Sequence, residues 1–316
     1  MTAFPPRAIP IILDCDPGHD DALAIALALA RPELEVLGIT TVGGNAPLHE
    51  TTRNAQRVLA LLGREDVPVA AGAANPLVRP LEIAEEVHGE SGLDGADLPE
   101  PTAALRPEGA IEFLRTTLER APAPVTLVPT GPLTNIAMLL RAYPWLREQI
   151  AHVCLMGGAM HEGNWTPAAE FNIWVDPEAA RLVFRSGVPL TMVGLDVTHR
   201  ALFREPDIER LEAVGTHPAR VFADLLRFFA QFHRRRYGWD GSPIHDAVAV
   251  AHLAVPGLVG TRRYHVDVET QGDITRGRTV VDHRGVPGPD PNCDVALTID
   301  RERFVNLLVD AVASFD

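Results

Sequence analysis

Short, unbroken runs of apolar and β-branched residues recur along this 316-residue chain, and longer helical patterns separate them. Ile9 to Asp14, Leu34 to Val42, Val67 to Ala70, Val125 to Pro129, His152 to Met156 and Leu190 to Gly194 each have the length of one strand. Helical patterns run from about Asp20 to Ala30, Leu48 to Leu62, Leu133 to Ala142 and Pro177 to Ser186. A strand that is apolar throughout is buried on both faces, and helices between strands supply the cover. The pattern therefore predicts an α/β fold with a central, mostly parallel sheet flanked by helices, a Rossmann-like open sheet. The stretch from about Pro206 to Val255 reads as largely helical. Tyr264 to Thr270, Arg278 to Asp282 and Cys293 to Ile299, divided by Gly and Pro turns, read as a few late antiparallel strands. A last helix is expected over about Arg301 to Ala313. No repeat, low-complexity linker or composition break divides the chain, so residues 1–316 are expected to form one domain.

Composition narrows the partners. Forty-two acidic residues against 28 basic ones give a formal charge of −14, which repels a phosphate backbone and argues against nucleic acid. The chain contains no lysine, and its one basic run, Arg234-Arg235-Arg236, reads as a solvated helix face. Cys15, Cys154 and Cys293 are too few and too scattered for a disulfide framework, and they read as small buried apolar residues. The start, MTAFPPRAIP, lacks the basic and apolar regions of a secretory leader. The longest apolar helix-like run, Ala22 to Ala30, is too short to span a bilayer. The expectation is a cytoplasmic protein that engages neither membrane nor nucleic acid.

The densest chemistry lies where the first strand ends, at Asp14-Cys15-Asp16-Pro17-Gly18-His19-Asp20-Asp21. Asp14 and Asp16, two apart, share a face if the strand continues, and Pro17-Gly18 makes the turn. Asp20 and Asp21 fall in the first turn of the next helix, where the dipole favours negative charge. Ligands of open α/β sheets bind outside the carboxyl ends of the strands, so all four carboxylates are expected to converge there. A like-charged pair at 4 Å repels by roughly 4 kcal/mol at an effective dielectric of 20. Either their pKa values rise or a cation compensates, and hard oxygen donors favour Ca²⁺ or Mg²⁺.

The octet, continued as DCDPGHDDA, resembles the N-terminal signature of the inosine-uridine-preferring nucleoside hydrolases. Further segments resemble that family in its order: ITTVGGN from Ile39, VHGESGLDG from Val87, TLVPTGPLTNIA from Thr126, the long run from Leu155 to Ala180, MVGLDVTH from Met192 and IHDAVAVA from Ile244. A lone DxDxxxDD is a weak signal, whereas this ordered set spans most of the chain.

The resemblance implies hydrolysis of the N-glycosidic bond of ribonucleosides to ribose and free base, with one Ca²⁺ at the bottom of the pocket. It implies Asp16, Asp21 and Asp246 as carboxylate ligands and Thr130 as a backbone-carbonyl ligand. Asp16 would take the proton of a water whose pKa calcium lowers. The transition state would resemble an oxocarbenium ion, favoured by surrounding carboxylates. Asp20 would bind the 2′-hydroxyl, Asn45 and Asn172 other ribose hydroxyls, and Asn164 and Glu170 the 5′-hydroxyl. Met156 would touch the ribose, and His88 would line the base side. His245, which precedes a proposed ligand, would be the general acid for the departing base. Family members often carry tyrosines on the helix before the IHD motif; here Phe228, Phe229, Phe232 and Tyr237 occupy that stretch, which leaves base preference open. The family usually forms homodimers or homotetramers.

Two rival functions could use the same residues. A phosphatase with a strand-end Asp pair needs a catalytic lysine, which this chain lacks. A non-catalytic nucleoside- or ribose-binding protein would share the pocket, and turnover separates it from the enzyme.

Overall fold

The computed structural model describes residues 8–286 and 288–316, so most of the N-terminal stretch MTAFPPRAIP, expected not to be a leader, lies outside the described residues. The first half is strand and helix in turn: β1 (Ile9–Cys15), α1 (His19–Ala30), β2 (Leu34–Thr41), α2 (Leu48–Leu61) and β3 (Val69–Ala71). A short helix α3 (Glu85–His88) and α4 (Ala110–Arg120) lead to β4 (Val125–Pro129), α5 (Thr134–Ala142) and β5 (Ile150–Met156). Next come α6 (Phe171–Val175), α7 (Pro177–Phe184), β6 (Leu190–Val193), α8 (Leu195–Thr198) and β7 (Leu202–Arg204). The helical region holds α9 (Glu205–Glu212), the long α10 (His217–Tyr237), β8 (Gly241–Pro243) and α11 (His245–Ala254). The chain closes with β9 (Val259–Tyr264), β10 (Val266–Val268), β11 (Thr279–Val281), β12 (Cys293–Ile299) and α12 (Arg301–Ala313).

Eight strands form one sheet in the order β3-β2-β1-β4-β5-β6-β12-β9. All neighbours pair in parallel except β12 and β9, which run antiparallel at the edge. Consecutive residues of β1 point to opposite faces: Ile11, Leu13 and Cys15 join one core cluster and Ile12 the other. The first cluster packs α1, α2, α10, α11 and α12 on one face, and the second packs α4, α5 and α7 on the other. Helices α1 and α11 are rich in alanine and almost fully buried, which lets their backbones approach closely.

Strand order reverses between β1 and β4, the crevice where open α/β sheets bind ligands. The acidic octet leaves the end of β1, and Thr130 follows the end of β4, so both stand at that switch point.

The expected late strands differ in detail. Within Tyr264 to Thr270 the last residue of β9 is followed by the short β10, which pairs with β11 in a separate two-stranded ribbon. The antiparallel partner of β12 is instead β9, whose exposed central residues Gly260, Thr261, Arg262 and Arg263 disguise an edge strand as a loop. Helix α4 is amphipathic, and an argument from continuous apolar runs passes over it.

Candidate active site

Two helices deliver the carboxylates. Asp20 and Asp21 lie in the first turn of α1, and Asp246 in the first turn of α11. The two helices pack together, and both N-termini open on the crevice, where their dipoles partly offset the negative charge. One oxygen each of Asp20, Asp21 and Asp246 lies within 4.8 Å of the others, a grouping able to hold a metal ion. Asp21 accepts from the Thr130 hydroxyl at 2.7 Å and from the Gly18 N–H at 3.0 Å.

Asp16 lies just past the end of β1, fully buried. Its Oδ2 accepts from the Asn45 N–H at 2.7 Å, while its Oδ1 is enclosed without a hydrogen-bond partner among the described residues. An orphaned carboxylate oxygen is costly in a protein interior unless a cation or proton meets it. Burial, with repulsion from Asp21 and Asp20, holds the Asp16 carboxyl well above its usual range. Burial and the neighbouring aspartates do the same to Asp246 and raise Asp20 to about 7. Asp21 is also raised by burial, against the pull of its hydrogen bonds. Four acids strained in one direction, beside an unpartnered oxygen, fit a bound divalent cation.

The expected convergence of all four octet acids needs one correction. Asp14 turns away from the pocket: its Oδ1 accepts from Thr40 Oγ1 at 2.6 Å and from Asn135 Nδ2 at 2.8 Å. Asn135 also donates to the Thr41 carbonyl at 3.0 Å, so this carboxylate fastens β1, β2 and α5 together beneath the site. Asp246, expected as a ligand in its own right, joins Asp20 and Asp21 in the pocket.

Above the acids opens a cavity of about 390 Å³, within the range of small-molecule sites. Asp20, Asn45, His88, Thr130, Met156, Asn164, Glu170, Asn172, His245 and Asp246 all reach its wall, with Asp16 and Asp21 buried beside them. The polar residues are half-committed already. Asn45 gives its Nδ2 to the Asp16 carbonyl at 3.1 Å. Asn172 gives its Nδ2 to the Thr130 carbonyl at 2.6 Å. That carbonyl keeps a second lone pair, and the Asn172 Oδ1 has no partner among the described residues. Glu170 caps the short helix α6, accepting from Asn172, Gly158 and Ile173 N–H groups at 2.9 to 3.1 Å. Burial nonetheless raises it to about 7. Asn164 Oδ1 accepts from the Phe171 N–H at 3.0 Å, which leaves its Nδ2 as donor.

The opposite wall is aromatic. Tyr237 stacks on Trp239 at 4.6 Å, Trp239 meets His199 edge-on at 4.9 Å, and His199 meets His245 at 5.7 Å. Phe229 links this belt to His233 at 4.5 Å and to His88 at 5.3 Å. Phe232 lines the cavity, but Phe228 turns off it onto His19. His199, His233, Trp239, Trp165 and Phe171 were not among the expected site residues, though all line the cavity, and Arg236, expected on a solvated helix face, is exposed there and reaches the cavity too. Phe229, His233 and Tyr237 stand four apart on α10, a helical spacing that could have revealed the middle one. His245 Nδ1 lies 2.7 Å from Thr198 Oγ1, and burial with nearby histidines holds its pKa well below the usual value.

Comparison with known proteins settles the class of this pocket. The sequence profile of the inosine-uridine-preferring nucleoside hydrolases matches residues 11–306. The chain belongs to that family. A pyrimidine-specific ribonucleoside hydrolase, RihA, of Citrobacter koseri is 52% identical to this nucleoside hydrolase, covering 98% of this chain and 99% of its own. RihA of Salmonella arizonae is 54% identical over 96% of this chain and 98% of its own. Among solved structures, a purine-preferring ribonucleoside hydrolase from Gardnerella vaginalis superposes with a TM-score of 0.91 at 34% identity, covering 96% of this chain and 98% of its own. A plant nucleoside hydrolase, PpNRh1, gives 0.91 at 33% identity, covering 98% and 100%. The protein is an enzyme that hydrolyses ribonucleosides, and its mostly parallel sheet is that of its structural neighbours. No helix among the described residues is long and apolar enough to cross a membrane, and the three cysteines are free and buried.

Proposed function

We propose that this nucleoside hydrolase cleaves pyrimidine ribonucleosides and holds one Ca²⁺ through Asp16, Asp21, Asp246 and the Thr130 carbonyl. One observation carries the metal assignment: Asp16 Oδ1 is enclosed and, among the described residues, unpartnered beside three further buried aspartates. An all-oxygen donor set suits calcium better than zinc or copper. The pyrimidine preference is supported by the two RihA relatives above 50% identity, against 34% for the purine-preferring structure.

Calcium, when bound there, supplies Lewis acidity toward the attacking water and the ribose hydroxyls. The protein's own groups do the rest. The Asn45 N–H holds the Asp16 carboxylate in place through Oδ2, where Asp16 can both ligate the ion and receive the proton of the water. Asp20 and Asn45 bind ribose hydroxyls, and so does Asn172 through its Oδ1. Asn164 donates from Nδ2 to the 5′-oxygen, beside Glu170. Met156 packs against the sugar. The buried carboxylates favour the positive charge that grows on the sugar as the bond to the base lengthens. His245 meets the departing base with Nε2, since Nδ1 is taken by Thr198. Because the free ring is neutral, its part begins as a hydrogen-bond donor to the base as negative charge gathers there. His88 stands on the base side with Phe229.

We also read the chain as one domain and the enzyme as a cytoplasmic homodimer or homotetramer, in keeping with its family and its buried thiols. Calorimetric titration of chelator-treated protein with Ca²⁺ tests the metal assignment. One ion per chain is expected, with binding lost in Asp16→Ala and Asp246→Ala; unchanged binding in both variants would refute it.

A further inference from the structure

His19 sits inside the acidic octet but carries no negative charge and does not line the cavity. Its ring is buried and lies nearly flat against Phe229, Phe228 and His88, with centroids 5.1, 5.4 and 5.3 Å away. Both of its nitrogens are engaged. Nε2 lies 2.8 Å from the Asp94 carbonyl, and Nδ1 lies 3.0 Å from Nδ1 of His88.

Hydrogen counting fixes the rest. A carbonyl only accepts, so Nε2 of His19 bears a hydrogen. A neutral imidazole has one N–H, so Nδ1 of His19 is bare. The hydrogen between the two Nδ1 atoms then belongs to His88, and its Nε2 is bare in turn. The backbone N–H of His19 also approaches His88 Nδ1, at the longer distance of 3.4 Å. For it to donate, His88 Nδ1 must be bare, and the 3.0 Å contact between the two Nδ1 atoms is then a hydrogen bond only if both nitrogens of His19 bear hydrogens. That would place an imidazolium between two phenyl rings with no carboxylate bonded to it. Nε2 of His88 has no protein partner among the described residues, and the ring forms cavity wall beside Phe229.

We propose that His19 is a positioning residue: through the Asp94–His19–His88 chain it locks His88 in the Nδ1–H tautomer, so that His88 offers the base a hydrogen-bond acceptor. The base edge it selects is one bearing an N–H, such as the ring imide of uracil, and it withholds a donor from the base carbonyls. This rests on the nucleoside reading of the cavity, and it leaves leaving-group donation to His245 alone of the two rings.

The full-length protein carrying ¹⁵N-histidine decides the tautomer without substrate. In long-range proton–nitrogen correlation spectra, wild-type His88, assigned by its loss in His88→Asn, is expected to show a protonated Nδ1 and a bare Nε2. His19→Phe keeps the stacked ring but removes the acceptor, and should move the proton of His88 to Nε2. His19→Asn retains an acceptor near the Nδ1 position and should restore the wild-type pattern. In kinetics, uridine is compared with 3-methyluridine, which lacks the imide N–H. His19→Phe should lower kcat/KM on uridine by about 10- to 100-fold, the worth of one buried hydrogen bond, and narrow the ratio between the two nucleosides by a similar factor. His19→Asn should keep that ratio. A bare Nδ1 on wild-type His88, or equal slowing of both nucleosides by His19→Phe, would overturn the proposal. Failure to cleave any nucleoside would instead refute the reading of the reaction, while the spectra would still decide the tautomer.

Discussion

Replacing Gly44 with alanine would put a methyl carbon 2.0 Å from Asp16 Oδ2 and 2.8 Å from Pro132 Cδ. Real Cβ contacts essentially never fall under 3.0 Å, so the carboxylate would have to retreat by at least 1.0 Å. It has little room to do so. On its other side, a Cβ on Gly131 would already stand only 2.6 Å from Oδ1. Two glycines thus pinch the carboxylate, and the shift would also break the 2.7 Å bond from the Asn45 N–H. A misplacement of about 1 Å at a reacting group costs on the order of 100-fold in rate. Overpacking of a buried position costs about 1–3 kcal/mol, which leaves most of a domain's stability in place. The expected phenotype of Gly44→Ala is therefore a folded protein with weakened calcium binding and kcat lowered about 100-fold. Ribose release from uridine measures the rate, and calorimetric titration measures the ion. Gly109→Ala is the control, since its added carbon would meet nothing nearer than 3.5 Å. Gly44→Ala with kcat within about threefold of wild type would refute the claim that Asp16 is placed by these glycines for catalysis.

Three other outcomes follow from the same geometry. Glu170, raised to about 7 from an ordinary 4.5, keeps its proton in the fold while the unfolded chain has lost it. Its contribution to stability therefore falls as pH rises from about 4.5 to 7 and is level above, by up to about 3 kcal/mol; denaturant titrations of wild type and Glu170→Gln should differ in slope across that window, and parallel curves would contradict the assignment. His245→Ala should lower kcat on uridine by about 10²- to 10⁴-fold, yet spare a riboside whose leaving group needs no proton, such as a nitrophenyl riboside; equal losses on both would remove His245 from leaving-group chemistry. Asn135→Ala, which strips donors from Asp14 and the Thr41 carbonyl, should cost about 1–3 kcal/mol of stability without changing calcium affinity; a large change in affinity would return Asp14 to the metal site.

Local patterns were legible because they obey local physics. The unbroken apolar runs Val125 to Pro129 and Leu190 to Val193 read directly as doubly buried parallel strands. The Pro17-Gly18 turn and the paired acids after it announced a helix start beside a ligand crevice. Asn45, Glu170, Asn172 and Asp246 stood out by resemblance to ordered family segments, and all four reach the cavity. What stayed hidden depends on contacts distant in sequence. Asp14 looks like its neighbours until Thr40 and Asn135, 26 and 121 residues away, claim its carboxylate. The aromatic wall brings His199, just after α8, against Trp239, just beyond α10, a contact that no local spacing shows. The role of His19 depends on His88 and Asp94, 69 and 75 residues away. Edge strand β9 was masked by the charges that protect it.

The proposed enzyme depends on calcium, takes the water proton on Asp16 and prefers pyrimidine bases. Free ribose released from uridine, cytidine, inosine and adenosine tests this most directly, measured for the purified enzyme with calcium, with chelator, and for Asp16→Ala. Release from uridine and cytidine is expected well ahead of the purines, abolished by chelator, restored by calcium and lost in the variant. Undiminished release in the presence of chelator, or full activity in Asp16→Ala, would contradict the proposal.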